Sequence, residues 1–135
     1  MTKFRLTSFV FCFLLVGGCS SAGPTKDDPQ STDFQELGEL FHAAASKVGH
    51  APTKLADLGT ARGMFPKAYE SVKSGEVIVL WGTSPKGEGD VGNDEVVLAY
   101  EKKVPTEGGY VLMSAGTVKK MTAAELNSAP KAGKK

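Results

Sequence analysis

The chain reads as an α+β domain, with an N-terminal amphipathic helix packed on a small antiparallel meander of about four strands and short additional helices. Three observations predict this. Phe34, Leu37, Phe41, Ala44 and Val48 recur at intervals of three and four, the period of one helix face. From Glu76 onward the pattern changes to apolar runs rich in β-branched residues, which suit strands. The helical segments come first and the strands follow, an order that favours an antiparallel sheet over an alternating α/β layout.

Taken in chain order, each element has a local reason. Asp33 and Glu36 have capping-box spacing at the start of the long helix, and Gly49 suits a left-handed cap after Val48. Pro52 marks a turn, and residues 54–58 and 67–73 read as two short helices, the second ended by Gly75. "EVIVLWG" and "DEVVLAYE" are the first two strands; "GYVLM" and "TVKKM" form a hairpin around Ser114-Ala115-Gly116. Thr122 and Glu125 make a second capping box, opening a last short helix over "TAAELNSA". The stripe has too few heptads for a coiled-coil seam, so its apolar face belongs to a core.

The first eighteen residues have a different character. Lys3 and Arg5 precede an apolar centre from Leu6 to Val16, then Gly17, Gly18 and Cys19, which is the layout of a secretory signal. At 1.5 Å per residue that centre spans about 16 Å as a helix, well short of the ~30 Å hydrocarbon core of a bilayer. It is therefore no permanent membrane anchor. Val16-Gly17-Gly18-Cys19 resembles the lipobox of bacterial lipoproteins. The resemblance implies diacylglyceryl transfer to the Cys19 thiol, cleavage before Cys19 and acylation of the freed amine. One acyl chain holds a membrane only marginally, whereas two or three hold it durably. Ser20 and Ser21 follow, with no aspartate next to the cysteine. By that family's sorting pattern this implies the outer membrane, facing the periplasm.

The organisation that follows is a signal over residues 1–18, a lipidated cysteine and disordered tether over 19–33, a single domain over 34–128 and a loose tail over 129–135. The whole chain has 16 Lys+Arg and 15 Asp+Glu. The leader takes Lys3 and Arg5 with it, so the mature part is near neutral and offers no field that would steer it to nucleic acid. Cys12 also leaves with the leader and Cys19 is the lipid site, so no thiol is left for a disulfide, a metal cluster or nucleophilic catalysis.

A second resemblance rests on two segments. Pro52-Thr53-Lys54-Leu55-Ala56-Asp57-Leu58 after an N-terminal helix resembles the Pro-Thr/Ser-x-Leu-x-x-Leu segment of bacterial pseudopilin-like proteins. "GGYVLMSAGTVKKMTAAEL" resembles the end of prepilin-like envelope proteins in which a histidine precedes an Asp-Gly turn between two strands. In that register Pro105 stands for the histidine and Ala115 for the aspartate. A two-residue turn with Ala115 and Gly116 at its centre would put Ala115 at positive φ; otherwise the turn is of another type. The resemblance implies a fold and a cell-envelope setting, with action by contact with an envelope protein or as a structural component.

Catalysis has little to work with here. His42 and His50 are eight apart and read as surface residues, and the sequence has no nucleophile triad, phosphate loop or His-x-x-x-His pair. No cofactor is expected. The loop "KGEGDVGNDE" offers Asp90, Asn93, Asp94 and Glu95 as hard oxygen ligands, so a ligand- or calcium-binding lipoprotein is the alternative. Its glycines suit a plain turn between strands equally well. Trp81 and Tyr100 lie near strand ends, as a small aromatic patch or as core packing.

Overall fold

Helix formation begins earlier than the spacing of Asp33 and Glu36 suggests. In the computed structural model, which describes residues 28–83, 85–86 and 95–133, α1 runs over Pro29–Val48. Asp28 is its cap, accepting a 3.1 Å hydrogen bond from the Gln30 amide, and Pro29 occupies the first turn, where its missing N–H costs nothing. Asp33 and Glu36 lie inside the helix. The early start has its own cap in Asp28, and Ser31 is buried within the added turn. Residues 28–33, expected in the tether, therefore belong to the domain as the cap and start of α1, and the boundaries of 33 for the tether and 34 for the domain are corrected to that extent. The apolar stripe forms from Phe34 to Ala44, with Leu40 joining Phe34, Leu37, Phe41 and Ala44 in burial, whereas Val48 is only half-buried; α1 ends at the left-handed Gly49.

Two short helices, α2 (Leu55–Leu58) and α3 (Pro66–Ser74), follow, with a 3-10 turn at Gly59–Ala61 between them. Buried Leu58, Ala61 and Ala68 pack from this segment into the core against α1. Asp57 secures the first of them: its carboxylate accepts from the Thr53 amide at 2.9 Å and the Thr53 hydroxyl at 3.0 Å. These bonds lower the Asp57 pKa, the amide being the larger cause.

The strands are β1 (Val77–Val79), β2 (Val97–Glu101), β3 (Gly109–Met113) and β4 (Val118–Met121). They form one antiparallel sheet in the order β1-β2-β3-β4, the expected meander. Pairing shifts between Val97 and Ala99, where Leu98 is the extra residue of a bulge. Leu98 and Ala99 consequently both enter the cluster on the α1 side. The outer strand β4 exposes Lys119 and Lys120, charges that discourage edge pairing, and β1 at the other edge is only three residues long.

Both faces of the sheet are covered, which the sequence reading did not foresee. Against one face lie α1, α2 and α3, meeting Val77, Leu98, Tyr110 and Leu112. A Cβ at Gly38 of α1 would meet the Leu112 Cδ1 atom at 3.4 Å, at the edge of ordinary van der Waals contact. On the other face Val97, Val111 and Met113 meet Val104 and Leu126. Those two residues come from α4 (Val104–Glu107), which was unexpected, and from α5 (Ala123–Ser128). Pro105 lies in the first turn of α4. The α5 capping box is present as expected, with Thr122 and Glu125 bonding each other's backbone amides.

Residues 129–133 are not a loose tail. The Val97 amide donates to the Pro130 carbonyl at 2.9 Å and the Ala132 amide donates to the Val97 carbonyl at 3.0 Å, so the segment pairs beside β2 where β1 has ended. Lys131 donates to the Asn127 and Ala129 carbonyls at 3.2 and 3.3 Å, closing the end of α5.

The β3–β4 connection corrects another expectation. The Gly116 amide donates to the Met113 carbonyl at 3.0 Å, and the Met113 amide to the Thr117 carbonyl at 2.9 Å. Gly116 has φ 79°, and among the described residues no residue other than glycine has positive φ. This is a three-residue loop whose last residue is a left-handed glycine, and Ala115 stands at negative φ. The register borrowed from the prepilin-like pattern therefore loses its support at this turn.

Candidate functional site

Cys19, the residue with the most specific chemical signal, lies outside the described residues, as do Asp90, Asn93 and Asp94. Of the calcium-loop candidates only Glu95 is described, and its carboxylate is engaged: Lys119 donates to one oxygen, and the Thr117 hydroxyl to the other at 2.8 Å. These contacts, with Lys119 foremost, hold its pKa below the usual range. The pair ties the start of β2 to β4 across the hairpin. Among the described residues no group of three His, Cys, Asp or Glu side chains is placed to hold a metal ion.

The histidines stay apart. His42 is exposed on α1, and the His50 Nδ1 lies 2.8 Å from the Ala51 carbonyl oxygen. Trp81 and Tyr100 do not form a patch: Trp81 packs on the α1 side with its ring centroid 6.3 Å from Phe41, whereas Tyr100 packs in the opposite cluster.

Among the depressions on the described surface, two flank α1. One of about 550 Å³ lies between the outer face of α1 and the hairpin tip, lined by Glu39, His42, Lys86 and Gly116 among others. The second, about 170 Å³, lies between α1, α3 and the β1 edge, with Phe34, Leu37 and Val77 below and Asp33, Glu76 and Glu101 around it. Glu101 is already in use, accepting from the Tyr110 amide at 2.7 Å and pairing with Lys103 at 3.5 Å. Neither depression brings together a nucleophile, a base and an orienting partner.

The most developed polar contact lies where the described chain begins. Tyr110, buried in β3, donates its hydroxyl to the Asp28 Oδ2 atom, while Asp28 Oδ1 caps α1. The Tyr110 ring is held from two sides, by Phe34 at 6.2 Å between centroids and by the Lys120 ammonium at 5.6 Å. The Asp28 carboxylate pushes the Tyr110 pKa up to about 12. In turn the Tyr110 hydrogen bond, then the Gln30 amide and the charges of Lys120 and Lys103, lower that of Asp28. Asp-Pro at 28–29 is a helix-start signal that a sequence reading can find; its partner 82 residues away is not. No family model, curated protein or solved structure matches the chain.

Proposed function

We propose that the protein is a membrane-tethered bacterial cell-envelope lipoprotein, anchored through lipid on Cys19 in the outer membrane and facing the periplasm. Its small α+β domain acts by contact with an envelope protein or as a structural component, without catalysis. The observation that carries this reading is Val16-Gly17-Gly18-Cys19 directly after a short apolar run with a basic start. The α1 helix supports it by contrast. At twenty residues it is long enough to span a bilayer, yet it carries exposed Asp33 and Glu39, and no described helix is long and apolar enough to cross a membrane. In this reading the lipid on Cys19 is the anchor.

The test is metabolic labelling with radioactive palmitate and flotation of membranes from cells producing the full chain. The wild type should take up label, float with membranes and have lost residues 1–18. Cys19→Ser should take up none and accumulate with its leader. Label or processing that persists in Cys19→Ser refutes the reading.

A further inference from the structure

We propose that two copies of this chain pair through one face of the domain: the basic, apolar turn over residues 62–67 of each copy docks on the acidic groove between α1, α3 and β1 of the other, across a two-fold axis. The inference goes beyond the tethered reading and holds with or without lipid on Cys19.

The turn is a fixed knob. Met64 is 54 % exposed, the one large hydrophobic side chain so exposed among the described residues. Residues 59–69 contain Arg62 and Lys67 and no acid, and Lys47 adds a third cation by donating to the Thr60 carbonyl at 2.8 Å. The Arg62 amide donates to the Gly59 carbonyl at 3.3 Å, the Met64 amide donates to the Ala61 carbonyl at 3.0 Å, and Phe65 packs on the core. A side chain presented on a fixed backbone loses little freedom when it is buried, which suits Met64 to be an anchor.

The groove has the opposite charge. Phe34, Leu37 and Val77 form its floor and Asp33, Glu76 and Glu101 its rim. Among the described residues neither Asp33 nor Glu76 has an ion pair, and neither has Lys67. At about 170 Å³ the groove is well under the roughly 300 Å³ at which small-molecule sites begin, but it admits a side chain. It continues over α3 into a wider depression of about 430 Å³, which Lys67 and Glu76 both line. Turn and groove therefore share one face.

Their spacing selects the symmetry. Nine-residue α3, about 13 Å long, separates Lys67 in its first turn from Glu76 just past its end. A two-fold axis across its middle lays two α3 helices antiparallel, so that each Lys67 meets the Glu76 of the second copy. Each Met64, lying before Lys67, then falls over the second copy's groove. Parallel stacking would instead oppose like charges. Midway along the helix, Glu70 and Lys73 already pair at 3.3 Å and add no net charge.

The experiment places the photo-crosslinking residue p-benzoylphenylalanine at Gly63, where a Cβ meets nothing within 4 Å, in the full chain produced in a bacterium. Irradiation of the cells should give a covalent dimer, with mass spectrometry linking position 63 to the second copy within residues 30–37 or 71–77. Lys67→Glu and Glu76→Lys alter exposed residues and should keep the melting temperature, yet each should cut the dimer yield at least about fivefold because like charges then face each other. The double variant Lys67→Glu/Glu76→Lys should restore the yield. Met64→Ser should lower it several-fold. Adducts formed only with lipid or with a different protein overturn the proposal, and so does the absence of a covalent dimer. A ladder of species larger than a dimer, or a double variant no better than the single ones, overturns it as well. Palmitate labelling of the same cells tests the anchor separately.

Discussion

Replacing Gly116 with alanine isolates the cost of one backbone conformation. Gly116 sits at φ 79°, and a Cβ built there meets nothing within 4 Å, so no clash contributes. What remains is the left-handed penalty for an L-residue, about 1–2 kcal/mol. For a domain of about a hundred residues, 1 kcal/mol moves the melting temperature by roughly 4–8 °C. Gly116→Ala should therefore melt about 4–16 °C lower by calorimetry. Gly116→Asn should fall between the two, since asparagine tolerates the left-handed region better. At the neighbouring position, where φ is negative, Ala115→Asn should change stability by no more than about 0.5 kcal/mol. If Gly116→Ala is neutral, or if Ala115→Asn raises the melting temperature as a positive-φ site demands, the three-residue loop is wrong.

Phe41 is buried against Trp81 and the sheet, so Phe41→Ala should cost about 3–5 kcal/mol in urea unfolding, while Glu39→Ala on the exposed opposite face of α1 should cost little. Thr122→Ala breaks the α5 capping box and should cost about 1 kcal/mol, read from the same denaturation curves. The lowered pKa values of Asp28, Asp57, Glu95 and Glu125 mean that their folded forms hold protons less tightly than the unfolded chain. Their contribution is complete above the unfolded values near 4 and is lost as pH falls through the folded ones, so melting temperature should drop on acidification below about pH 4.5. Tyr110 has the opposite sign: its pKa rises from 10.0 to about 12, so its contribution is present below pH 10 and lost across that interval. An alkaline fall in melting temperature that is the same in Tyr110→Phe would contradict this assignment.

The parts of the fold visible in the sequence are those whose causes lie within about four residues. The α1 stripe, the glycine stops after Val48 and Ser74, the β-branched strands and the Thr122–Glu125 box each combine one local hydrogen bond or one periodicity. The candidate Cys19 belongs to this class too, because its neighbours Val16, Gly17 and Gly18 make its case by adjacency. Tertiary structure alone decided the rest. The Asp33 box lost to an earlier start capped by Asp28, whose other oxygen is engaged by Tyr110 of a strand formed much later in the chain. Residues 129–133 became ordered because Val97 offered a free amide and carbonyl at the place where β1 ends. Leu98 faces the core through a bulge that only pairing with β3 creates, and Asp28 acquired its second role from a tyrosine 82 residues away. Such contacts depend on which surfaces the packed sheet brings within reach, and no local pattern encodes that distance.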